Sequence, residues 1–375
     1  MPNVEIVRNE IEITKHGMRN ACFRKMKTMT LPKIFAAKYP KECTFTESDW
    51  HALADMWYPV ALEESVKDTP LAAKLMDLDL VIARLDGEYV VARDLCVHRG
   101  APLTKGWIKG NCLVCPYHGY EYTADGSCSK VPCDPDWKIP ASIRLETYLF
   151  EVKYGIIWVC LSGSPKNQLP DWEPEADNPD YLRFTMGPEI WDCSAGRAIE
   201  NFIDNAHFSF VHQETFGQES SATMGTEYDF KMHEHFMTMA FEYMATNPKG
   251  SPIAEGAELA RKMHRTLFFP LSTRTFIGYP GGREHIIHIN ISPVSARKAQ
   301  LIVVFTRNFD HHVPVEKLLA WEQKILGEDR AIIETQKPEE IPLEISAEAH
   351  AKADKASIAY RNWLRKAGLG RRFTA

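Results

Sequence analysis

Two short strings constrain this chain more than anything else in it: Cys96-Val97-His98 and, after a gap of sixteen residues, Cys115-Pro116-Tyr117-His118. Each string carries one thiol and one imidazole. A two-iron cluster of mixed ligation uses that set, with two thiolates on one iron and two imidazoles on the other. Zinc is the rival for any set of two Cys and two His, but a zinc finger places both cysteines first and both histidines last. Here each arm can send its Cys to one metal and its His to the other. The spacing therefore predicts a [2Fe–2S] centre held by Cys96, His98, Cys115 and His118, and a redox protein. Gly100 and Gly119 follow the two histidines closely and let each loop turn tightly, bringing backbone N–H groups near the sulfides.

The arms stand in the contexts Cys-x-His-Arg-Gly-Ala-Pro-Leu and Cys-Pro-Tyr-His-Gly-Tyr. Residues 107–122 resemble the Rieske domain of the aromatic-ring-hydroxylating and dealkylating oxygenases, with one departure, Tyr120, where most members carry Trp. The other large Rieske family braces its two loops with a disulfide. The equivalent positions here are Ala101 and Tyr117, so no such bridge forms. Fewer hydrogen bonds to the sulfurs are then expected, with a potential low in the Rieske range.

A second string, Glu200-Asn201-Phe202-Ile203-Asp204-Asn205-Ala206-His207-Phe208-Ser209-Phe210-Val211-His212, says what the electrons are for. On an ideal helix, histidines five apart point about 140° away from each other. They share a metal only if the helix widens to a π turn or ends there. Asp204 and His207, at i and i+3, share a face without distortion. Two His and one carboxylate form the facial triad of non-haem Fe(II) oxygenases, which leaves coordination positions open. Asp-x-x-His-x4-His is similar to the mononuclear iron motif of the same oxygenase family, in its oxygenase (alpha) subunit.

The resemblance runs from Leu53 to Lys366 and carries further implications. The third iron ligand falls on Asp329, in Gly327-Glu328-Asp329-Arg330. Its competitors are Glu328 and Glu334, most simply solvated helix charges, and Asp310. The family's head-to-tail homotrimer sets the Rieske centre of one subunit against the mononuclear iron of the next. Asp204 then bridges a cluster histidine, His118, and His207. Residues 328–336 and 353–364 are most similar to the N-demethylase branch, within the N- and O-dealkylating monooxygenases. The resemblance thus implies O2-dependent hydroxylation of a carbon attached to N or O of a small aromatic compound, xenobiotics included. Ring hydroxylation or cis-dihydroxylation is the alternative. Readings from other classes are a Rieske electron carrier fused to a ligand-binding domain, and an apolar-ligand carrier. The first predicts no mononuclear iron, and the second leaves both ligand sets without a purpose.

Composition bounds the rest. The 375 residues suffice for two domains with real cores. A net charge of −6 carries no basic excess for nucleic acid, and no apolar run approaches the roughly eighteen residues that would span a membrane. No signal peptide is visible at the start. Seven cysteines outside the cluster, an odd number at irregular spacing, read as free thiols in a reducing cytoplasm. The chain holds no Gly-x-Gly-x-x-Gly and no plant-type ferredoxin spacing. Electrons are therefore expected from a separate ferredoxin or flavin reductase using NAD(P)H.

The expected fold is α+β. Residues 1–48 form an N-terminal arm with a basic run at Arg24 to Lys27. Residues 49–164 form a small antiparallel β Rieske domain. In it, 80–85, Asp86-Gly87 and 88–93 make a hairpin, and 154–159 is the closing strand. A proline-rich, acidic linker covers 164–180. Residues 165–375 hold an α/β, helix-grip-like catalytic domain with an antiparallel sheet: strands at 273–279, 285–291 and 301–309, and helices at 315–336 and 347–367. Its many Phe and Met side chains supply an apolar pocket over the iron. His285, His288 and Asn290 lie on a strand that could offer it polar contacts.

Overall fold

The computed structural model describes residues 33–172, 175–217, 227–246 and 258–370. The basic run at Arg24 to Lys27, and Met224, one of the Met side chains expected around the pocket, lie outside them. Helix α1 (Glu47–Ala54) is the first helix of the described residues, and the Thr46 side chain accepts the Asp49 N–H at its start.

Three small antiparallel sheets follow. One joins β1 (Tyr58–Leu62), β10 (Ile156–Cys160) and β9 (Leu149–Lys153), with β10 in the middle. The second is β2 (Leu71–Leu75), β3 (Leu78–Leu85) and β4 (Glu88–Arg93) in sequence order. The third is β5 (Trp107–Lys109), β6 (Cys112–Val114), β7 (Glu121–Tyr122) and β8 (Cys128–Lys130). The β3–β4 hairpin turns on Asp86 and Gly87, with φ of 48° and 89°, the two positive values that a tight primed turn requires. Tyr154 and Gly155, expected at the start of the closing strand, instead form the β9–β10 turn, with φ of 60° and 73°. The strand proper begins at Ile156.

The second half is built on one seven-stranded antiparallel sheet. Its strands are β11 (Leu182–Trp191), β12 (Asp229–Met232), β13 (Phe236–Thr246), β14 (Glu258–Phe268), β15 (Ser272–Tyr279), β16 (Arg283–Ser295) and β17 (Lys298–Arg307), in the order β11-β17-β16-β15-β14-β13-β12. Strands β16 and β17 are covered on both faces, so β17 reads as a continuous apolar run rather than an alternation. On one face Ile289, Ile291, Val303 and Phe305 join a core with helices α2 (Ala195–Ile203), α4 (Val315–Ile333) and α5 (Lys355–Lys366). On the other, Ile302 and Val304 pack with Leu62, Ile156 and Trp158 of the small sheet. Gln300 Nε2 ties the two layers by donating to the carbonyls of Pro59 and Val60.

The segment expected as a linker is anchored in this second interface. Trp172 is fully buried, with its ring 4.2 Å from both Tyr154 and His288, and Glu175 accepts from Arg274 and sits 3.2 Å from His288 Nε2. One acid and one aromatic among the prolines suffice to pin it. Helix α4 stops three residues before the expected Gln336. The last helix starts at Lys355, after two single helical turns, rather than at Ala347.

Candidate active site

Helix α2 ends at Ile203, and the chain bends before the single-turn helix α3 (Phe208–Val211). His207 and His212 flank that turn. Helix α2 therefore ends before both histidines, which sit at the two caps of a single turn, and the 140° divergence of a continuous helix never arises. Gly217 secures the return: a Cβ there would lie 2.1 Å from the Phe208 carbonyl and 2.9 Å from the His212 carbonyl carbon, so only glycine permits this approach. Its N–H donates to the His212 carbonyl at 2.7 Å. The sequence reading passed over this glycine.

Asp329 reaches the two histidines from α4. Its Oδ1 stands 3.4 Å from His207 Nε2 and 3.3 Å from His212 Nε2. One donor atom from each of His207, His212 and Asp329 lies within 4.8 Å of the others, and among the described residues no other group of His, Cys, Asp and Glu does this. Burial would raise the Asp329 carboxyl, but hydrogen bonds and charge from His207 and His212 hold it well below the usual carboxylate range. Asn201 Nδ2, one α2 turn before Asp204, donates to Asp329 Oδ1 at 2.9 Å. Its amide had no sequence signal beyond its neighbours.

Both imidazoles carry a carboxylate on Nδ1. Asp204 Oδ2 is 2.8 Å from His207 Nδ1, and the same carboxylate accepts the backbone N–H groups of Ala206 and His207 at 3.1 and 3.0 Å. Burial raises Asp204, but His207 and those amides bring it below its ordinary value. Desolvation opposes a charged His207, yet the hydrogen bonds and charges of Asp204 and Asp329 hold it up to about 9. Glu328, expected as a solvated helix charge, instead lies 2.8 Å from His212 Nδ1. The other competitors sit elsewhere: Asp310 pairs with Arg307, and Glu334 accepts from Arg330 and the Asp192 N–H. Two Nε2 lone pairs and one carboxylate oxygen, all facing one point with their tautomers fixed from behind, fit a non-haem Fe(II).

In the small sheets, Cys96 and Cys115 are buried at 2% and 1% exposure, while His98 is exposed and His118 partly so. The histidine rings are 4.5 Å apart. Thiols inside and imidazoles at the rim fit a Rieske cluster, whose sulfur-ligated iron is the inner one. Tyr120 stacks on His98 at 4.7 Å with the planes 5° apart, so the Trp-to-Tyr departure preserves an aromatic platform. The sulfurs are better provided with donors than expected. Tyr122 places its hydroxyl 3.2 Å from Cys96 Sγ, and the backbone amides of Tyr117 and His118 bond Cys115. A hydrogen bond to a cluster thiolate favours the reduced, more negative state. Tyr122→Phe is therefore expected to lower the cluster's midpoint potential by on the order of 50 mV, about 1 kcal/mol of hydrogen bonding. Redox titration of the visible spectrum checks it, and an unchanged potential would mean the hydroxyl does not tune the sulfur.

Next to the three convergent donors lies a mostly apolar cavity of about 140 Å³, walled by Phe202, Phe208, Phe216, Ile277, Ile287 and Phe305. Its polar groups include Glu322, Arg307 and His285. Glu322 sits seven residues before Asp329 on α4, about 10 Å along the same face. Burial pushes its carboxyl up to about 7 although Arg307 Nη2 donates to it at 2.6 Å. Burial and the neighbouring Arg307 and Arg261 push His285 well below its ordinary value, so its 3.6 Å approach to Glu322 is no ion pair. His288 and Asn290, expected beside it, point to the opposite face of the sheet, against Trp172 and the Ile302 carbonyl.

Residues 56–148 match the family model of the Rieske [2Fe-2S] domain, and residues 191–369 match that of the vanillate O-demethylase oxygenase C-terminal domain. The methylxanthine N1-demethylase NdmA and N3-demethylase NdmB of Pseudomonas putida are each 30% identical to this chain over 84% of it, covering 89% and 90% of their own lengths. The structure of NdmA with caffeine superposes with a TM-score of 0.76 at 27% identity, covering 88% of this chain and 96% of that one. Dicamba monooxygenase bound to dicamba shares the fold, with a TM-score of 0.72 at 20% identity over 84% of this chain and 97% of that one. With both halves matched in order and the relatives spanned almost end to end, the chain belongs to the Rieske non-haem iron oxygenases, monooxygenases that carry a [2Fe–2S] cluster and a mononuclear iron.

Proposed function

We propose that this protein is the oxygenase component of a multi-component monooxygenase that removes N-alkyl or O-alkyl groups, N-methyl foremost, from a small aromatic compound. His207, His212 and Asp329 hold the mononuclear iron, and Cys96, His98, Cys115 and His118 hold the cluster. The observation that carries the reading is the convergence of the three donors beside an apolar cavity large enough for a flat ring. The likeness to NdmA and NdmB favours N-demethylation over O-demethylation.

When bound, the two centres supply activated O2 and the electrons it needs. The balance is one O2, two electrons and two protons in. One oxygen goes into a C–H bond of the alkyl group, and the other leaves as water. The product carries a hydroxyl on the carbon attached to N or O. The C–N or C–O bond then breaks without further oxidation, giving an aldehyde and the N–H or O–H compound. The chain's own residues orient this event. Phe208, Phe216 and Ile287 exclude water from the ring, and Asn201 and the two Nδ1 carboxylates hold the ligands in place.

A homotrimer in which Asp204 bridges to His118 of a neighbouring subunit is part of the same proposal. Exposed apolar side chains support it at both ends of such a contact: Val97 at 40% and Tyr117 at 62% beside the cluster, Phe210 at 52% beside His207. The electron donor is a separate ferredoxin or flavin reductase, the setting is cytoplasmic, and the chain divides into an arm to residue 48, a Rieske domain at 49–164 and a catalytic domain at 165–375.

The test is aldehyde release. Iron-loaded protein, a surrogate reductase, NADH and air are offered a panel of N-methyl and O-methyl aromatics. Formaldehyde matched one-to-one to a dealkylated product is expected. Ring-hydroxylated or diol products without aldehyde would overturn the dealkylase reading in favour of the hydroxylating branch.

A further inference from the structure

Two consecutive residues of α4, Glu328 and Asp329, face the same imidazole from opposite sides. Asp329 Oδ1 is 3.3 Å from His212 Nε2, and Glu328 Oε2 is 2.8 Å from His212 Nδ1. The same Glu328 oxygen accepts the Thr215 hydroxyl at 2.7 Å. Thr215 belongs to the turn that follows His212, with its N–H donating to the His212 carbonyl at 3.0 Å. The result is a closed ring of contacts: imidazole, carboxylate, hydroxyl, and the backbone of the histidine itself. Glu328 is only 13% exposed at its side chain, and its second oxygen is buried with no hydrogen-bond partner among the described residues. Burying a carboxylate is costly unless pairing and hydrogen bonds of good geometry offset its desolvation.

We propose that Glu328 is the positioning residue for His212: its carboxylate accepts the hydrogen bond donated by Nδ1–H, fixes the ring and leaves the Nε2 lone pair for the iron. The proposal rests on the assignment of the iron to His207, His212 and Asp329. A neutral imidazole has two tautomers, and only the one with Nδ1–H leaves Nε2 free to bind a metal. His207 receives that instruction from Asp204, within its own loop. His212 receives it from another element, so the fold couples the register of α4 to the tautomer of a ligand on the α3 turn. Thr215 in turn fixes which Glu328 oxygen faces the ring.

The experiment compares Glu328→Ala, Glu328→Gln, Thr215→Val and His212→Ala with the parent protein, all with the cluster intact and the mononuclear iron removed by chelation. Two readouts need no turnover: 15N NMR of the histidine tautomers in the metal-free protein, and anaerobic Fe(II) titration. His212 in the parent is expected as the Nδ1–H tautomer. Glu328→Ala is expected to let the Nε2–H form appear and to weaken Fe(II) binding 10–100-fold. Glu328→Gln, which keeps an acceptor oxygen of the same shape, should hold the tautomer and lose less affinity, and Thr215→Val should fall between it and the parent. Unchanged tautomer and affinity in Glu328→Ala, even with a lowered melting temperature, would reduce Glu328 to a structural tie and overturn the proposal while the iron site stood. Full Fe(II) binding by His212→Ala would instead overturn the iron assignment itself. If Glu328→Ala fails to fold, a Glu328→Gln protein with the parent's tautomer and an affinity between the parent's and that of His212→Ala supports the proposal, and one indistinguishable from the parent in affinity overturns it.

Discussion

An Asp329→Ala protein should come off the column with two irons per chain instead of three, its cluster spectrum intact and its turnover gone. The prediction follows from what Asp329 does for the pair it faces. Its carboxylate is the one negatively charged donor in the group, it is 5% exposed at the side chain, and His207 and His212 keep it ionised. Without it, two buried imidazoles face each other across a hole. Two neutral nitrogen donors alone bind Fe(II) poorly, because a hard, charged oxygen ligand both neutralises the ion and completes the facial set. The loss should be more than the 10–100-fold that removing a residue behind a ligand costs. The cluster should be untouched, because Cys96 and Cys115 sit in a separate core with Val81, Leu103, Leu113 and Tyr122. Iron analysis with the visible spectrum on the same sample distinguishes the outcomes. Three irons and full turnover would mean that another acid is the ligand.

What the sequence made legible was chemistry tied to short spacing. Both Cys/His arms and the His207/His212 pair are local strings, so residue type and interval bring them to notice, and the family resemblance ties the second to the first. The β3–β4 hairpin was legible for the same reason: Asp86-Gly87 between two apolar runs has few other readings. What failed was anything decided by which face a distant element covers. Strand alternation puts His288 and Asn290 on one face of β16 and His285 on the other, but only the elements that cover the sheet decide that His285 meets the cavity and His288 meets Trp172. Glu328 and Glu334 look like the same solvated helix charge. One faces the α3 turn and the other the β11 end, and only the docking of α4 separates them. Trp172 carried a signal that went unused, because a lone Trp in a proline-rich segment is a large apolar surface with a reason to be buried.

Asp204→Asn tests the other half of the proposal, that Asp204 links the two metals. The substitution is expected to leave three irons per chain and a normal cluster spectrum, and to slow product formation in a single turnover by roughly 10–100-fold. The local structure should survive. An Asn oxygen can still accept the Ala206 N–H that Asp204 Oδ1 accepts at 3.1 Å. What it cannot do is accept on both sides, since the second position becomes an NH2 that faces the His207 Nδ1 proton and the His207 N–H, now at 2.8 and 3.0 Å from Oδ2. The bond that orients His207 is lost along with the negative charge. Asp204 keeps 25% of its side chain exposed even though His207 beside it is largely buried, so one edge of the carboxylate is available to a donor from another subunit. Mixing reduced protein with substrate and O2, then following cluster re-oxidation, separates the two roles that Asp204 could have. If it only orients His207, cluster oxidation keeps its rate and iron affinity falls. If it links the two centres, iron affinity holds and cluster oxidation slows together with product. Unchanged single-turnover rates with full iron would remove Asp204 from the electron path altogether.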